Sequence, residues 1–159
     1  MASFFELVEE FFREDNWRFA RMDDDTVLTL DVTGKNGRWL CYARAREEQQ
    51  QFVFYSVCPV NTPPNKRHAM AEFVCRANYG MVMGNFEFDF RDGEVRFKTS
   101  IDVENAELTP PLIKNMVYVN IAMMDKYFPG MMAIIYGNTL PEDAIEEIEG
   151  PAIPPEAEE

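Results

Sequence analysis

Residues 85–103 read NFEFDFRDGEVRFKTSIDV, in which apolar and polar side chains alternate on both sides of Asp92-Gly93. Alternation with a period of two predicts two half-buried strands, and Asp-Gly between them is a strong signal for a two-residue hairpin turn. With that turn, apolar side chains face apolar ones and acids face bases across the hairpin. The predicted pairs are Phe90 with Val95, Asp89 with Arg96, Phe88 with Phe97 and Glu87 with Lys98. The stretch therefore predicts an antiparallel β-hairpin.

Three further strands are predicted upstream of this hairpin. Residues 26–33 alternate between apolar and polar side chains, as a half-buried strand does. The turn at 34–37 leads into residues 38–46, and a turn at 48–49 leads into residues 51–58. Both later segments are rich in aromatic and β-branched residues. The three segments predict a meander.

Two helices flank the meander. Ser3 and Glu6 have the spacing of a capping box, and apolar residues at helical spacing predict a helix over about 4–14. Asn61-Thr62-Pro63-Pro64 is typical of a helix start, and Gly80 is a natural stop for this second helix.

A third helix closes the predicted fold. It opens at Thr109-Pro110-Pro111, and Pro129-Gly130 is expected to break or kink it. The predicted order is α-β-β-β-α-β-β-α, a single antiparallel sheet of about five strands with helices on one face. This is an α+β fold.

Several short motifs, in this element order, resemble the YbjN-domain family over about residues 4–148. They are Asn78, Gly84 five residues after Tyr79, Phe86-Glu87-Phe88-Asp89, Asp92-Gly93, Tyr127-Phe128-Pro129, Gly137-Asn138 and Pro141-Glu142-Asp143-Ala144. The resemblance implies a fold similar to the dimeric chaperones of type III secretion. It also implies a bacterial regulator of sensory transduction with no established reaction.

The charge of the chain excludes some partners. The sequence of 159 residues has 15 Lys and Arg against 28 Asp and Glu, a formal net charge of −13. Such a chain repels a nucleic-acid backbone or an anionic membrane, so we expect neither as a partner. Residues 149–159 are acidic and rich in proline, which predicts a disordered tail after a single domain over residues 1–148.

The cysteines indicate the compartment. Cys41, Cys58 and Cys75 form no close pair and leave an odd thiol, which argues against a secreted disulfide framework. The N-terminus has no basic region followed by a continuous apolar stretch, so no signal peptide is predicted, and no apolar run approaches the length of a spanning helix. We expect a cytoplasmic protein.

Residues with catalytic or metal-binding chemistry are scarce. His68 is the single histidine and is expected to be solvated near a helix start, with a general base as the alternative. The cysteines are expected to fill the core, with a redox pair of Cys41 and Cys58 as the alternative. Asp23-Asp24-Asp25 is expected to be a solvated turn rather than a divalent-cation site. No catalytic residue, cofactor or metal is therefore predicted, and we expect no enzyme.

Strand alternation predicts one feature with a functional meaning. If the turns are as described, the core face of the meander holds Leu28, Leu30, Val32, Trp39, Cys41, Ala43 and Phe54. The opposite face then collects Leu40, Tyr42, Val53, Tyr55 and Val57, flanked by Arg38 and Arg44. Apolar patches with tyrosine and an arginine rim are typical of interfaces. We expect a second subunit or a partner segment on this face, with internal cover by the methionine-rich final segment as the alternative.

These features favour a non-enzymatic protein-interaction module that binds another polypeptide as a regulator or chaperone-like protein, and that forms a homodimer. A small-molecule sensor with a pocket between the helices and the sheet is the main alternative. A thiol-dependent enzyme is a further one.

Overall fold

The computed structural model describes residues 2–22 and 26–151. Its helices are α1 (Phe4–Glu14), α2 (Arg67–Asn78), α3 (Pro110–Tyr136) and α4 (Pro141–Glu149), with a 3-10 turn at Pro64–Lys66 before α2. Its strands are β1 (Phe19–Arg21), β2 (Val27–Thr33), β3 (Arg38–Arg46), β4 (Gln51–Val57), β5 (Asn85–Phe88) and β6 (Val95–Asp102). The predicted α+β class is confirmed, and β1 and α4 are additions to the predicted order.

All six strands form one antiparallel sheet in the order β1-β2-β3-β4-β6-β5. The side chains predicted for the core face of the meander are all at most 5% exposed, which confirms that face. The helices pack on it: Phe12 of α1 stacks on Phe54, and Phe128 of α3 stacks on Trp39. We call this side of the sheet the inner face and the opposite side the outer face.

The register of the predicted hairpin is wrong by two residues. Phe86 pairs with Phe97, and Phe88 pairs with Val95, so the predicted pair Phe88 with Phe97 does not form. The reason is a longer loop, closed by hydrogen bonds from the Asp89 N–H to the Glu94 carbonyl and from the Gly93 N–H to the Asp89 carbonyl. Because the slip is an even number of residues, every side chain keeps its predicted face.

The open edge of β5 is closed by a side chain. The Asn78 Oδ1 accepts a hydrogen bond from the Phe86 N–H at 2.7 Å, and its Nδ2 donates to the Phe86 carbonyl at 3.0 Å. An edge strand otherwise presents unpaired backbone groups to other chains. Gly84 precedes β5 with a φ of 74°, and a Cβ at this position would lie 2.6 Å from the Lys98 carbonyl oxygen. These contacts give physical roles to Asn78 and Gly84, two of the residues on which the resemblance described above rests.

Helix α1 begins as the sequence predicts. The Ser3 side chain accepts from the Glu6 N–H, and the Glu6 carboxylate accepts from the Ser3 N–H, which completes the capping box. The Glu47 carboxylate, from the β3–β4 turn, accepts hydrogen bonds from two further free N–H groups at the start of the helix. Buried Glu9 binds Arg21 of β1, which fixes the helix to the edge strand.

The sequence predicts a break or a kink at Pro129-Gly130; helix α3 continues through Pro129, so it is not broken there. Proline has no N–H and leaves the carbonyl four residues earlier without its helical donor. Here that carbonyl belongs to Asp125, and it accepts a hydrogen bond of 2.9 Å from the Asn36 side chain. The Asp125 carboxylate also accepts from the Lys35 and Asn36 N–H groups. The β2–β3 turn therefore supplies the donor that the proline lacks.

Two predicted segments lie outside the described residues. They are the acidic turn Asp23-Asp24-Asp25 and the part of the predicted tail from residue 152 onward. Before that point, α4 extends to Glu149, and the Tyr127 hydroxyl donates a hydrogen bond of 2.7 Å to the Glu149 carboxylate.

Candidate functional site

The register of the central strands places all seven predicted surface residues on the outer face. Tyr42 pairs directly with Tyr55, Leu40 with Val57, and Arg44 with Val53. Arg38 occupies the end of the same row of β3, where it pairs with Thr33. The two tyrosines therefore lie side by side at the centre, with aliphatic side chains before and after them along the strands.

This aromatic and aliphatic strip is only partly open to solvent. Leu40 is 46% exposed, whereas Tyr42, Tyr55 and Val57 are half-buried. Val53 is 7% exposed. The strip is thus a partly exposed apolar surface, flanked by long polar side chains.

The methionine-rich final segment does not cover the outer face, so the internal-cover alternative is wrong. This segment forms part of α3, which packs on the inner face. Met124 and Met131 are fully buried there, and the Met116 carbonyl accepts a hydrogen bond from the inner-face hydroxyl of Thr99. The methionines fill the core.

Two adjoining grooves run across the strip. A groove of about 500 Å³ is lined by Asp31, Arg38, Trp39, Leu40, Tyr42, Val57, Cys58, Pro59 and Asn61. A second groove of about 310 Å³ is lined by Met22, Val27, Tyr42, Arg44, Tyr55, Val57, Glu94 and Arg96. The tyrosine pair and Val57 belong to the centre of this surface, which offers apolar contact area flanked by charged groups.

The charged groups of the outer face are mostly paired with one another. Arg38 donates to Asp31, and this hydrogen bond lowers the pKa of the Asp31 carboxyl. The Glu87 carboxylate accepts from Arg96 at 2.9 Å and from Lys98 at 3.3 Å. The Arg96 guanidinium also lies 4.3 Å from the centre of the Tyr55 ring, a cation–π contact.

Sequence analysis missed Arg96 and Lys98 as members of this surface. The register places them opposite Val57 and Tyr55. Alternation shows only which residues share a face within one strand. Without the pairing of β4 with β6, it cannot show that Arg96 and Lys98 lie beside Val57 and Tyr55. The sequence shows only that Arg96 and Lys98 alternate with apolar residues and so lie on the polar side of the hairpin.

The candidate catalytic residues do not converge on a site. His68 is exposed at the start of α2, which confirms its predicted solvated position, and its ring lies 5.6 Å from that of Phe90. Cys41 and Cys58 are buried free thiols, and Cys75 is exposed. Burial raises the pKa of the Cys41 thiol to about 12 and also raises that of Cys58. Such thiols ionise little near neutral pH.

The described residues also lack two other kinds of feature, a metal-binding cluster and a membrane-spanning helix. Among residues 2–22 and 26–151, no cluster of three or more histidine, cysteine or acidic side chains is arranged to hold a metal ion. Within the same ranges, no helix has both the length and the apolar character required to cross a bilayer.

Two solved structures are similar to this chain. The crystal structure of YbjN from E. coli, described as "a putative transcription regulator", matches with a TM-score of 0.60 and 11% identity, over 82% of this chain and 87% of that chain. The HopA1-SchA chaperone-effector complex matches with a TM-score of 0.47 and 14% identity, over 74% and 87%. No curated protein matches the sequence significantly.

Residues 5–132 match the model of a family described as "Putative bacterial sensory transduction regulator". This match covers most of the chain, and it includes α1, the whole sheet and most of α3. The chain belongs to the YbjN family.

Proposed function

We propose that this protein is a non-enzymatic regulatory or chaperone-like module that binds another polypeptide through the outer face of its sheet. The observation that carries the proposal is the strip of Leu40, Tyr42, Tyr55 and Val57, which the helices leave uncovered. Tyrosine and arginine are enriched at interfaces because they combine large contact area with specific polar contacts. The description of the family as regulators supports the same role.

The polypeptide on this face is either a second copy of the chain or a different protein. We also propose that the chain forms a homodimer, through this face or through another. We also place the protein in the cytoplasm, because a reducing compartment is where free thiols such as exposed Cys75 persist.

The sensor alternative has less support. It requires a pocket between the helices and the sheet, yet inner-face side chains such as Phe54 and Phe97 are fully buried by the helices packed on them. The grooves described above open on the outer face instead.

The double variant Tyr55→Lys with Val57→Lys tests the proposal. Light scattering after size exclusion gives the mass of the purified chain, and native co-purification shows any bound polypeptide. We expect the wild type to carry a second copy or a partner, and the variant to be a folded monomer without it. Because both side chains are already half-buried on a surface rather than in the core, the fold should tolerate the change.

A matched control comes from the loop after α2, where Tyr79 is 91% exposed and Val82 is 96% exposed. The same lysine substitutions at these two positions should leave the assembly unchanged. If the double variant unfolds, Leu40→Lys replaces it, since Leu40 is 46% exposed. A folded outer-face variant that keeps the mass and the partners of the wild type contradicts the proposal.

A further inference from the structure

We infer that the outer face takes an acidic segment of a different protein, with a carboxylate of that segment bound to Arg44. This inference rests on the proposed function and names the chemistry of the partner. It is carried by the distribution of charge on the sheet, by the Arg44 guanidinium, which has no acceptor among residues 2–22 and 26–151, and by the partly apolar groove beside it.

The outer face differs in charge from the rest of the chain. Five basic side chains lie on it: Arg38, Arg44, Arg46, Arg96 and Lys98. The acidic side chains on the same strands are Asp31, Glu87 and Asp102, with Glu94 at the rim of one groove. With five basic against four acidic side chains this face is slightly basic, whereas the chain as a whole has a net charge of −13. An acidic segment is attracted here and repelled elsewhere.

Arg44 is the basic residue of this face that lacks an acceptor. Among the described residues it has no hydrogen-bond or ion-pair partner, whereas Arg38 binds Asp31 and Arg46 binds Gln51. Its neighbours across the strands are Val27 and Val53, which offer no acceptor. A wholly apolar occupant would bury this guanidinium unpaired, at a large desolvation cost. A carboxylate supplies two acceptor oxygens in the geometry that a guanidinium prefers.

The groove beside Arg44 also fits an apolar side chain of the same segment. Its apolar lining includes Val27, Tyr42, Tyr55 and Val57, its charged lining is Arg44, Arg96 and Glu94, and it holds about 310 Å³. It adjoins the groove of about 500 Å³ that ends at Pro59 and Asn61. A segment that alternates acidic with aromatic or aliphatic residues could therefore place a carboxylate on Arg44 and a side chain on the tyrosine pair.

A second copy of the chain satisfies this surface less well. Two outer faces that meet about a two-fold axis bring two slightly basic areas together, and two of the four acidic groups of each face, Asp31 and Glu87, are already paired with basic side chains of that face. An outer face placed on the helix layer of another copy, where α1 and α4 are rich in acidic side chains, makes a head-to-tail contact, which builds open chains or larger rings instead of a two-fold dimer. A different protein with an acidic segment brings no second basic area to the face and needs no head-to-tail assembly.

Selection of peptides on the full-length chain tests the inference. A phage library of random twelve-residue peptides is selected on the immobilised wild-type protein. The enriched peptides are then labelled, and their affinities for the wild type and variants are measured by fluorescence polarisation at low and high NaCl. The variants are Arg44→Glu, Arg44→Lys, the outer-face pair Tyr55→Ser with Val57→Ser, which removes apolar contacts without adding charge, and the control Arg76→Glu. Arg76 lies on α2, in the helix layer, and its substitution changes the net charge equally.

We expect peptides rich in Asp and Glu with at least one aromatic residue. Their affinity should fall about tenfold or more with Arg44→Glu and with added salt, less with Arg44→Lys, and not with Arg76→Glu. Enrichment of neutral or basic peptides that require Tyr55 and Val57 would overturn the inference and leave the proposed function standing. Peptides that bind the outer-face pair variant as well as the wild type would overturn both.

Two other outcomes also overturn the inference. One is the absence of any enriched peptide. The other is a wild-type dimer that the outer-face pair variant dissociates and that acidic peptides do not displace, because a second copy then occupies the face. In both cases the mass measurement described above decides the proposed function separately.

Discussion

Replacing Asn78 by Ala tests how this fold protects its open sheet edge. The variant removes the acceptor of the Phe86 N–H, at 2.7 Å, and one donor to the Phe86 carbonyl, at 3.0 Å. That carbonyl keeps a second donor, the Asn85 amide at 3.1 Å, so the larger loss is the partner of the N–H. A part-buried donor left without a partner costs about 1–3 kcal/mol, and we expect a loss of about 2 kcal/mol in the free energy of unfolding.

For a chain of this size, about 2 kcal/mol lowers the melting temperature by about 4–8 °C. Calorimetry measures that shift, and hydrogen exchange of the Phe86 amide gives a local readout, since this amide should lose protection in the variant. Asn115→Ala is the matched control, because Asn115 is exposed on α3 and should tolerate the change. A melting temperature within 1 °C of the wild type, together with unchanged exchange at Phe86, would refute the edge-closing role of Asn78.

Four further predictions concern stability and reactivity. Gly84→Ala should lower the free energy of unfolding by about 2 kcal/mol in urea titrations, because its φ of 74° and the nearby Lys98 carbonyl both disfavour a Cβ. The hydrogen bond from Arg21 lowers the pKa of Glu9 in the folded protein. The ionised carboxylate therefore stabilises the fold at neutral pH, and this stabilisation is lost as the pH falls below about 4.5 toward the folded pKa. Glu9→Gln should be less stable than the wild type at pH 7, with the difference shrinking at pH 3. In the native protein a thiol reagent should label Cys75 rapidly and the two buried cysteines only after unfolding, and equal labelling of all three would contradict their burial. Deletion of residues 150–159 should leave the melting temperature unchanged, and a drop of several degrees would show that this segment docks.

The sequence allowed the faces of the sheet to be predicted better than its register. Alternation placed Tyr42 and Tyr55 on one face, and the pairing of β3 with β4 confirms it. The predicted register of the hairpin is wrong by two residues because Asp92-Gly93 lies inside a longer loop. In that loop the Asp89 carboxylate accepts a hydrogen bond from the Arg91 N–H. That bond depends on a loop conformation that the Asp-Gly pair does not reveal.

The elements that were missed or misjudged depend on distant contacts. Strand β1 has three residues, Phe19–Arg21, too few for an alternation signal, and it is held by pairing with β2 and by Glu9. Pro129 continues α3 because the Asn36 amide, 93 positions earlier in the chain, serves the freed Asp125 carbonyl. Neither contact follows from local sequence, since each joins segments that only the folded sheet brings together.

The location of the partner tests the central claim most directly. Tyr55 is replaced by the photoreactive analogue p-benzoylphenylalanine in living cells, and the same analogue at Tyr118, which is 45% exposed on α3, serves as the control. Irradiation should join position 55 to another polypeptide, visible as a band of higher mass, and should give no such band at position 118. The absence of an adduct at position 55, or the same adduct at both positions, would contradict the claim that the outer face is the binding surface.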